Sequence, residues 1–285
     1  MRIAVLADIH GNLPALTACL RDAEARGAQA YWFLGDYLGE MPWPTGTLAA
    51  LRRLAGEAPC VFLRGNKEDY WLTADRSDWR SGNSTTGTLW YNAQALTEDD
   101  LAFFRSMEPA HLAALDGLPP VLLCHGSPRS NREALLPPQA DTDALLHACG
   151  APFVLCAHTH RTVDYTVDGL RAVNPGSVGL PVTDGCQQAH YLLLTGEDGR
   201  WSPRFIALDY DREAAIRSIE ASGLLDLAPG WTRVTLAKLR GQGVSHRQAL
   251  DAAMACCVKK TGTCVWPHIP EDCWQEAVIA LTGSW

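Results

Sequence analysis

No run in the chain approaches the roughly 18 apolar residues of a membrane-crossing helix, so no membrane association is expected. A secretory signal is missing too: the first residues enter a strand directly, without charged, apolar and small-residue regions in series, and a cytoplasmic protein is expected. Basic blocks are absent. With 24 Lys+Arg against 32 Asp+Glu the net charge is -8, which makes extended nucleic acid a poor partner. Among the ten cysteines there is no C-x-x-C pair; Cys19, Cys60, Cys124, Cys149, Cys156 and Cys186 lie scattered in apolar segments and read as reduced, mostly buried thiols. Internal repeats and low-complexity segments are also lacking. What remains is a 285-residue chain with 47% hydrophobic residues, enough for one large α/β domain or one domain with an appendage.

The stretch that organises the chain is Met1 to Asn12, MRIAVLADIHGN. Ile3 to Ala7 is an unbroken apolar run, as in a parallel strand covered on both faces. Alternation along such a strand puts Asp8 and His10 on one side, so a carboxylate oxygen and an imidazole nitrogen converge. Gly11 allows a tight turn, and Asn12 is placed to cap a helix whose first turn holds Pro14.

Further strands follow at Ala30 to Leu34, ending in Gly35-Asp36, and at Cys60 to Leu63, ending in Arg64-Gly65-Asn66. The helical runs Leu13 to Arg26 and Thr45 to Gly56 separate them, and right-handed crossovers then give a parallel sheet. Ser84 to Met107 reads as helical, with Thr97 and Asp100 forming a capping box. After Met107 the pattern changes. Asp116-Gly117, Asp168-Gly169 and the turn from Gly196 to Gly199 each separate two apolar runs, which predicts hairpins and a second, largely antiparallel sheet. Its strands include Val121 to Cys124, ending in His125-Gly126, and Phe153 to Ala157, ending in His158-Thr159-His160. The expected fold is α/β, a two-sheet sandwich flanked by helices over residues 1 to 210. A helical C-terminal extension, 211 to 285, contains helices at Arg212 to Ala221, Ser245 to Lys259 and Glu271 to Leu281.

Strand ends thus deliver Asp8 with His10, Asp36, Asn66, His125, and His158 with His160. A lone histidine in an apolar strand is more often a satisfied core residue than a ligand. Five separate segments that each place oxygen or imidazole beyond a strand reverse that balance, and seven such residues suit two ions rather than one. A two-metal site needs a carboxylate bridge holding the ions roughly 3.5–4 Å apart, with an activated water to attack phosphorus in line. Asp36 is the candidate bridge.

The order Asp8-x-His10, Gly35-Asp36, Gly65-Asn66, His125-Gly126 and His158-x-His160 resembles the calcineurin-like metallophosphoesterase superfamily across about residues 1 to 210. The resemblance implies two divalent ions, one on Asp8, His10, Asp36 and His160 and the other on Asp36, Asn66, His125 and His158. Manganese is expected, with iron, zinc or nickel as alternatives. Asn174-Pro175-Gly176-Ser177, Val178-Gly179-Leu180-Pro181 and the DIHGN opening are similar to the compact bacterial phosphodiesterase branch. The segment Ala207 to Asp211 with its helical tail is similar to bacterial members that cleave diadenosine polyphosphates asymmetrically. Many members carry a histidine after the Gly-Asn pair; here Lys67 stands there, followed by Glu68. A lysine can offset phosphate charge but is a poor proton donor near neutral pH, so good leaving groups should be favoured.

The implied catalytic set is Asp36, Asn66, Lys67 and His125, with Arg64 and Asn12 as candidate substrate contacts. Trp43, Trp71, Trp79, Trp90 and Tyr91 are placed to flank a cleft where a base could stack, although packing is the plainer role for any one of them. In the tail, Cys256, Cys257, Cys264, His268 and Cys273 match no zinc-finger spacing and read as core thiols. Its tryptophans, Trp231, Trp266, Trp274 and Trp285, are expected to pack the tail on the core as one wall of the cleft. The leading expectation is a hydrolase of phosphodiester or phosphoanhydride bonds in small nucleotides. A nuclease on the same scaffold is second, and a non-catalytic scaffold, like the retromer subunit of this fold, is third; contacts between copies of the chain are left open.

Overall fold

The computed structural model describes residues 1–73, 75–182 and 187–285; Cys186 lies outside them. The first sheet is built on β1 (Arg2–Leu6), which pairs in parallel with β2 (Ala30–Phe33), itself parallel to β3 (Cys60–Phe62). Helices α1 (Leu13–Ala25) and α2 (Pro44–Glu57) make the crossovers, and Asn12 caps α1 by accepting from the Ala15 amide. After α3 (Asn66–Thr73), the stretch read as one helix is two, α4 (Gly87–Ala95) and α5 (Glu98–Ser106), because Leu96 is extended and Thr97 starts a new helix with the expected capping box.

The second sheet holds β4 (Ala110–Ala113), β5 (Val121–Cys124), β6 (Phe153–Leu155), β7 (Thr162–Val167) and β8 (Leu170–Pro175), in the order β4-β5-β6-β8-β7. It is mixed rather than largely antiparallel. Helix α6 (Ala140–Ala148) makes β5 and β6 parallel, and β6 also runs parallel to β8, so only the two outer pairs are hairpins. The third expected hairpin, β9 (Ala189–Glu197) with β10 (Arg200–Leu208), joins the first sheet, where β9 pairs antiparallel with β1. This makes β1 central.

Alternation along β1 explains the layers. Ile3 and Val5 face the second sheet and pack with Leu123, Leu155 and Val173, while Ala4 and Leu6 face the helices with Leu16, Cys19 and Phe33. The tail forms α7 (Arg212–Ala221), α8 (Leu224–Leu227), α9 (Pro229–Leu239), α10 (His246–Thr261) and α11 (Glu271–Thr282). The sequence pattern does not reveal α9, since Val234, Thr235, Leu236 and Ala237 are buried in succession and no single apolar stripe marks it. Among the described residues no helix is long and apolar enough to cross a membrane.

The tail has its own small core around Trp274 and a second apolar contact in which Ile216, Leu236 and Leu239 meet Met41 and Leu180. Polar contacts add direction: Glu271 accepts from the Ser84 amide and hydroxyl, each at 2.6 Å, and the Trp274 indole donates to Thr85 Oγ1 at 2.9 Å. Gly87 is required here, because an added Cβ would meet Leu227 O at 2.0 Å. Of the four tail tryptophans only Trp274 is fully buried. Trp266 and Trp285 stay 37% and 41% exposed, lying over Tyr70 and Arg233 at the surface, so they contribute less docking than expected. The tail thiols Cys256, Cys257, Cys264 and Cys273 are free, and no candidate metal cluster among the described residues includes them. Trp274→Ala should lower stability by about 3–5 kcal/mol in urea unfolding, the usual loss for a fully buried tryptophan; a change under about 1 kcal/mol would show that this ring does not fasten the tail.

Candidate metal centre

The site lies at the carboxyl ends of β1, β2, β3, β5 and β6, where the chain leaves the sheets. Asp8, His10, Asp36, His158 and His160 all have positive φ, between 53° and 67°. Left-handed backbone at a non-glycine residue costs on the order of 1–3 kcal/mol and persists only where its surroundings impose it. Asp8 and His10 thus converge through these turns and not through strand alternation, since β1 ends at Leu6. Gly65 lets β3 close on the site, because a Cβ there would stand 2.3 Å from Asp36 Oδ1.

Two groups of ligand-type atoms share Asp8: Asp8, His10 and His160 form one, and Asp8, Asp36 and His125 the other. His10 Nε2 and His160 Nε2 are 3.0 Å apart, and His160 Nε2 is 3.4 Å from Asp8 Oδ1. Asp36 faces both ways, with Oδ2 3.8 Å from His10 Nε2 and Oδ1 3.4 Å from His125 Nε2. Asn66 Oδ1 is 3.0 Å from His125 Nε2, and the His158 ring lies edge-on to that of His125, 5.2 Å between centroids. Backbone carbonyls set two tautomers: His125 Nδ1 donates to Leu34 O and His160 Nδ1 to Leu180 O, each at 2.7 Å, leaving both Nε2 lone pairs toward the cluster. Glu68, fully buried, accepts the amides of Asp36, Tyr37 and Gly65 at 2.9–3.0 Å and so braces the turn that carries Asp36.

The electrostatics fit a cation. Burial, then the neighbouring Asp36 charge, raises the Asp8 carboxyl well above its ordinary range, and Asp8 Oδ1 is buried without a hydrogen-bond partner. At Asp36 burial acts the same way, but His125, His10 and Lys67 outweigh it and keep the carboxylate ionised. Burial followed by His125 lowers His158 to about 4, and burial also drives His125 and His160 down. Neutral imidazoles and an orphaned carboxylate oxygen, packed together in the interior, are a donor set for divalent metal.

His10, Asp36, Asn66, Lys67, His158 and His160 open onto a cavity of about 730 Å³, with Asp8 and His125 buried behind them. Its far wall belongs to the tail, through Trp231, Lys238, His246 and Arg247. Burial would lower Lys67, yet Glu40 and Asp36 outweigh it and hold the ammonium protonated; Nζ is 2.8 Å from Glu40 Oε1. Arg64 and Asn12, the expected substrate contacts, have partners within the fold. Arg64 pairs with Asp69 at 3.0 Å, and the buried Asn12 side chain donates to Gly179 O and Tyr210 Oη while capping α1; neither lines the cavity. Trp71 and Trp79 are core residues, and Trp43, Trp90 and Tyr91 do not line the cavity either. The aromatic that does is Trp231; Glu40, Lys238, His246 and Arg247 also line it, and no motif singles them out in the sequence.

Two facing mixed sheets with carboxylate, amide and imidazole groups gathered at their strand ends define a metal-dependent phosphoesterase. The calcineurin-like phosphoesterase superfamily domain matches residues 1–199, and the chain belongs to that superfamily. An uncharacterized protein of Methanocaldococcus jannaschii is 26% identical over 246 residues, covering 80% of this chain and 94% of that one. In fold the chain is similar to a hypothetical protein of Pyrococcus horikoshii, with TM-score 0.70 and 23% identity over 81% of this chain and 97% of that one. It is also similar to a metallophosphoesterase of Sphaerobacter thermophilus, with TM-score 0.66 and 24% identity over 86% of this chain and 99% of that one.

Because burial and the neighbouring Asp36 charge push the Asp8 carboxyl up, Mn²⁺ binding to the metal-free protein should displace a proton wherever Asp8 holds one and should tighten as pH rises through its raised pKa. Calorimetry in two buffers of different ionisation enthalpy measures the release. Binding that releases no proton at any pH and does not tighten with pH would contradict the raised Asp8 pKa.

Proposed function

We propose that the chain binds two divalent ions, manganese in the first instance with iron, zinc or nickel as alternatives, and hydrolyses phosphodiester or phosphoanhydride bonds of small nucleotides, diadenosine polyphosphates among them. Asp8, His10, Asp36 and His160 are assigned to one ion, and Asp36, Asn66, His125 and His158 to the other. The observation that carries the reading is the cavity of about 730 Å³ that joins this cluster to Trp231, Lys238, His246 and Arg247. It has room for a nucleotide beyond the reacting phosphate and cations for further phosphates. Residues 1–210 are read as the catalytic unit and 211–285 as an extension that completes its wall. We place the protein in the cytoplasm, in keeping with the free thiols of the described residues.

What a bound metal pair supplies is polarisation of the phosphoryl oxygens and a water of lowered pKa. The chain does the rest. Asp36, with its two oxygens turned to different imidazoles, is placed to serve both ions. Lys67, fixed by Glu40, presents a permanent positive charge to phosphate. As a protonated amine with a raised pKa it stabilises charge instead of donating a proton to the leaving group. Trp231 offers a ring against which a base can lie, with Lys67 Nζ 5.7 Å from its centroid.

A substrate panel with Mn²⁺ tests this. Alkyl phosphomonoesters should react at least about 10²-fold slower than diesters or anhydrides with acidic leaving groups, the scale of missing general-acid help. Lys67→His should flatten the dependence on leaving-group pKa, and Trp231→Ala should raise KM for a dinucleotide more than for a small chromogenic diester. A flat wild-type dependence would mean that another group donates the proton. Equal KM changes would remove the tail from substrate binding.

A further inference from the structure

Glu40 belongs to the loop after β2 and its side chain is only 3% exposed, yet it meets three parts of the molecule at once. Oε2 lies 2.6 Å from His10 Nδ1, a close contact bent away from the straight line of a hydrogen bond. Oε1 accepts from Lys67 Nζ at 2.8 Å and from the Trp231 indole at 3.2 Å. The loop is pressed against the imidazole: Met41 N donates to His10 O at 3.0 Å, and a Cβ on Gly39 would stand 2.8 Å from His10 Nδ1. Backbone carbonyls orient His125 and His160, whereas at His10 the group beside Nδ1 is this carboxylate.

We propose that Glu40 is a positioning residue of the metal centre, holding the proton of His10 on Nδ1 so that Nε2 faces Asp8, Asp36 and His160, and that α9 acts on metal affinity through Trp231. A carboxylate behind a ligating imidazole fixes its tautomer and ring orientation and raises its basicity. Here the same carboxylate also aims Lys67 into the cavity, so one buried side chain ties the metal ligand, the cavity cation and the tail together. The inference rests on His10 being a ligand.

Mn²⁺ titration of the metal-free, full-length protein tests it. Glu40→Gln keeps the volume, and its amide oxygen can still accept from Lys67 and Trp231. The amide N–H₂ then faces Nδ1 and drives the proton to Nε2, where it blocks coordination. Mn²⁺ affinity should fall about 10–100-fold, the range for lost support of a metal ligand. Trp231→Phe should weaken binding severalfold, and the double variant should bind no worse than Glu40→Gln alone, since both act through one carboxylate. A merely structural role predicts multiplied losses, and that result overturns the proposal. Wild-type affinity in Glu40→Gln also overturns it; if that variant does not fold, wild-type affinity in Trp231→Phe overturns the tail's part and an affinity loss supports it. His10→Ala separates the layers: unchanged binding there overturns the ligand reading itself, while a loss there beside unchanged binding in Glu40→Gln overturns only the role of Glu40.

Discussion

Asp8 and Asp36 are buried side by side, at 0% and 2% exposure, near His125, His158 and His160, whose pKa values burial lowers. Two carboxylates so placed repel each other and forgo hydration, an arrangement that a folded chain sustains when cations neutralise it. Much of the surrounding structure answers to that requirement. Glu68 spends its carboxylate on three backbone amides to hold the Asp36 turn, and carbonyls of Leu34 and Leu180 orient His125 and His160. Five of the left-handed residues beyond the strands, Asp8, His10, Asp36, His158 and His160, carry side chains of the cluster. Strain and buried charge are concentrated where the sheets' apolar packing is strong enough to impose them.

The tail supplies part of the wall of the cavity onto which this cluster opens. Its Trp231 and Lys238 line the cavity together with Asn66 and Lys67, and Glu40 Oε1 accepts from both the Trp231 indole and Lys67 Nζ. A wall beside the cluster matters for phosphoryl chemistry, since charge interactions strengthen as water is displaced from around them. Lys67 is held protonated in that space, so the site is equipped to bind anionic groups and lacks, at that position, a proton donor matched to neutral pH.

Much of this was legible in the sequence because strand ends with Asp, Asn or His beside glycine form a local signal. Asp8, His10, Asp36, His125 and His160 fall in two candidate metal groups, with Asn66 and His158 beside His125. The route was misjudged at Asp8 and His10, where turns and not pleating bring them into line, because positive φ at Asp or His has no distinct sequence mark. The mixed second sheet was missed because α6, a short crossover, carries a weak pattern, and the order of pairing depends on contacts far apart in the chain. Helix α9 was hidden by being buried on several sides, and with it went Lys238. Glu40 escaped because its partners are 27 to 191 residues away.

The central claim is that one carboxylate, Asp36, joins two metal ions. Electron paramagnetic resonance of metal-free protein titrated with Mn²⁺ tests it most directly. The account predicts an exchange-coupled two-ion spectrum that completes at two equivalents in the wild type and gives way to isolated-ion signals in a folded Asp36→Asn variant. Isolated-ion signals throughout the wild-type titration, or a coupled spectrum that survives in Asp36→Asn, would contradict it.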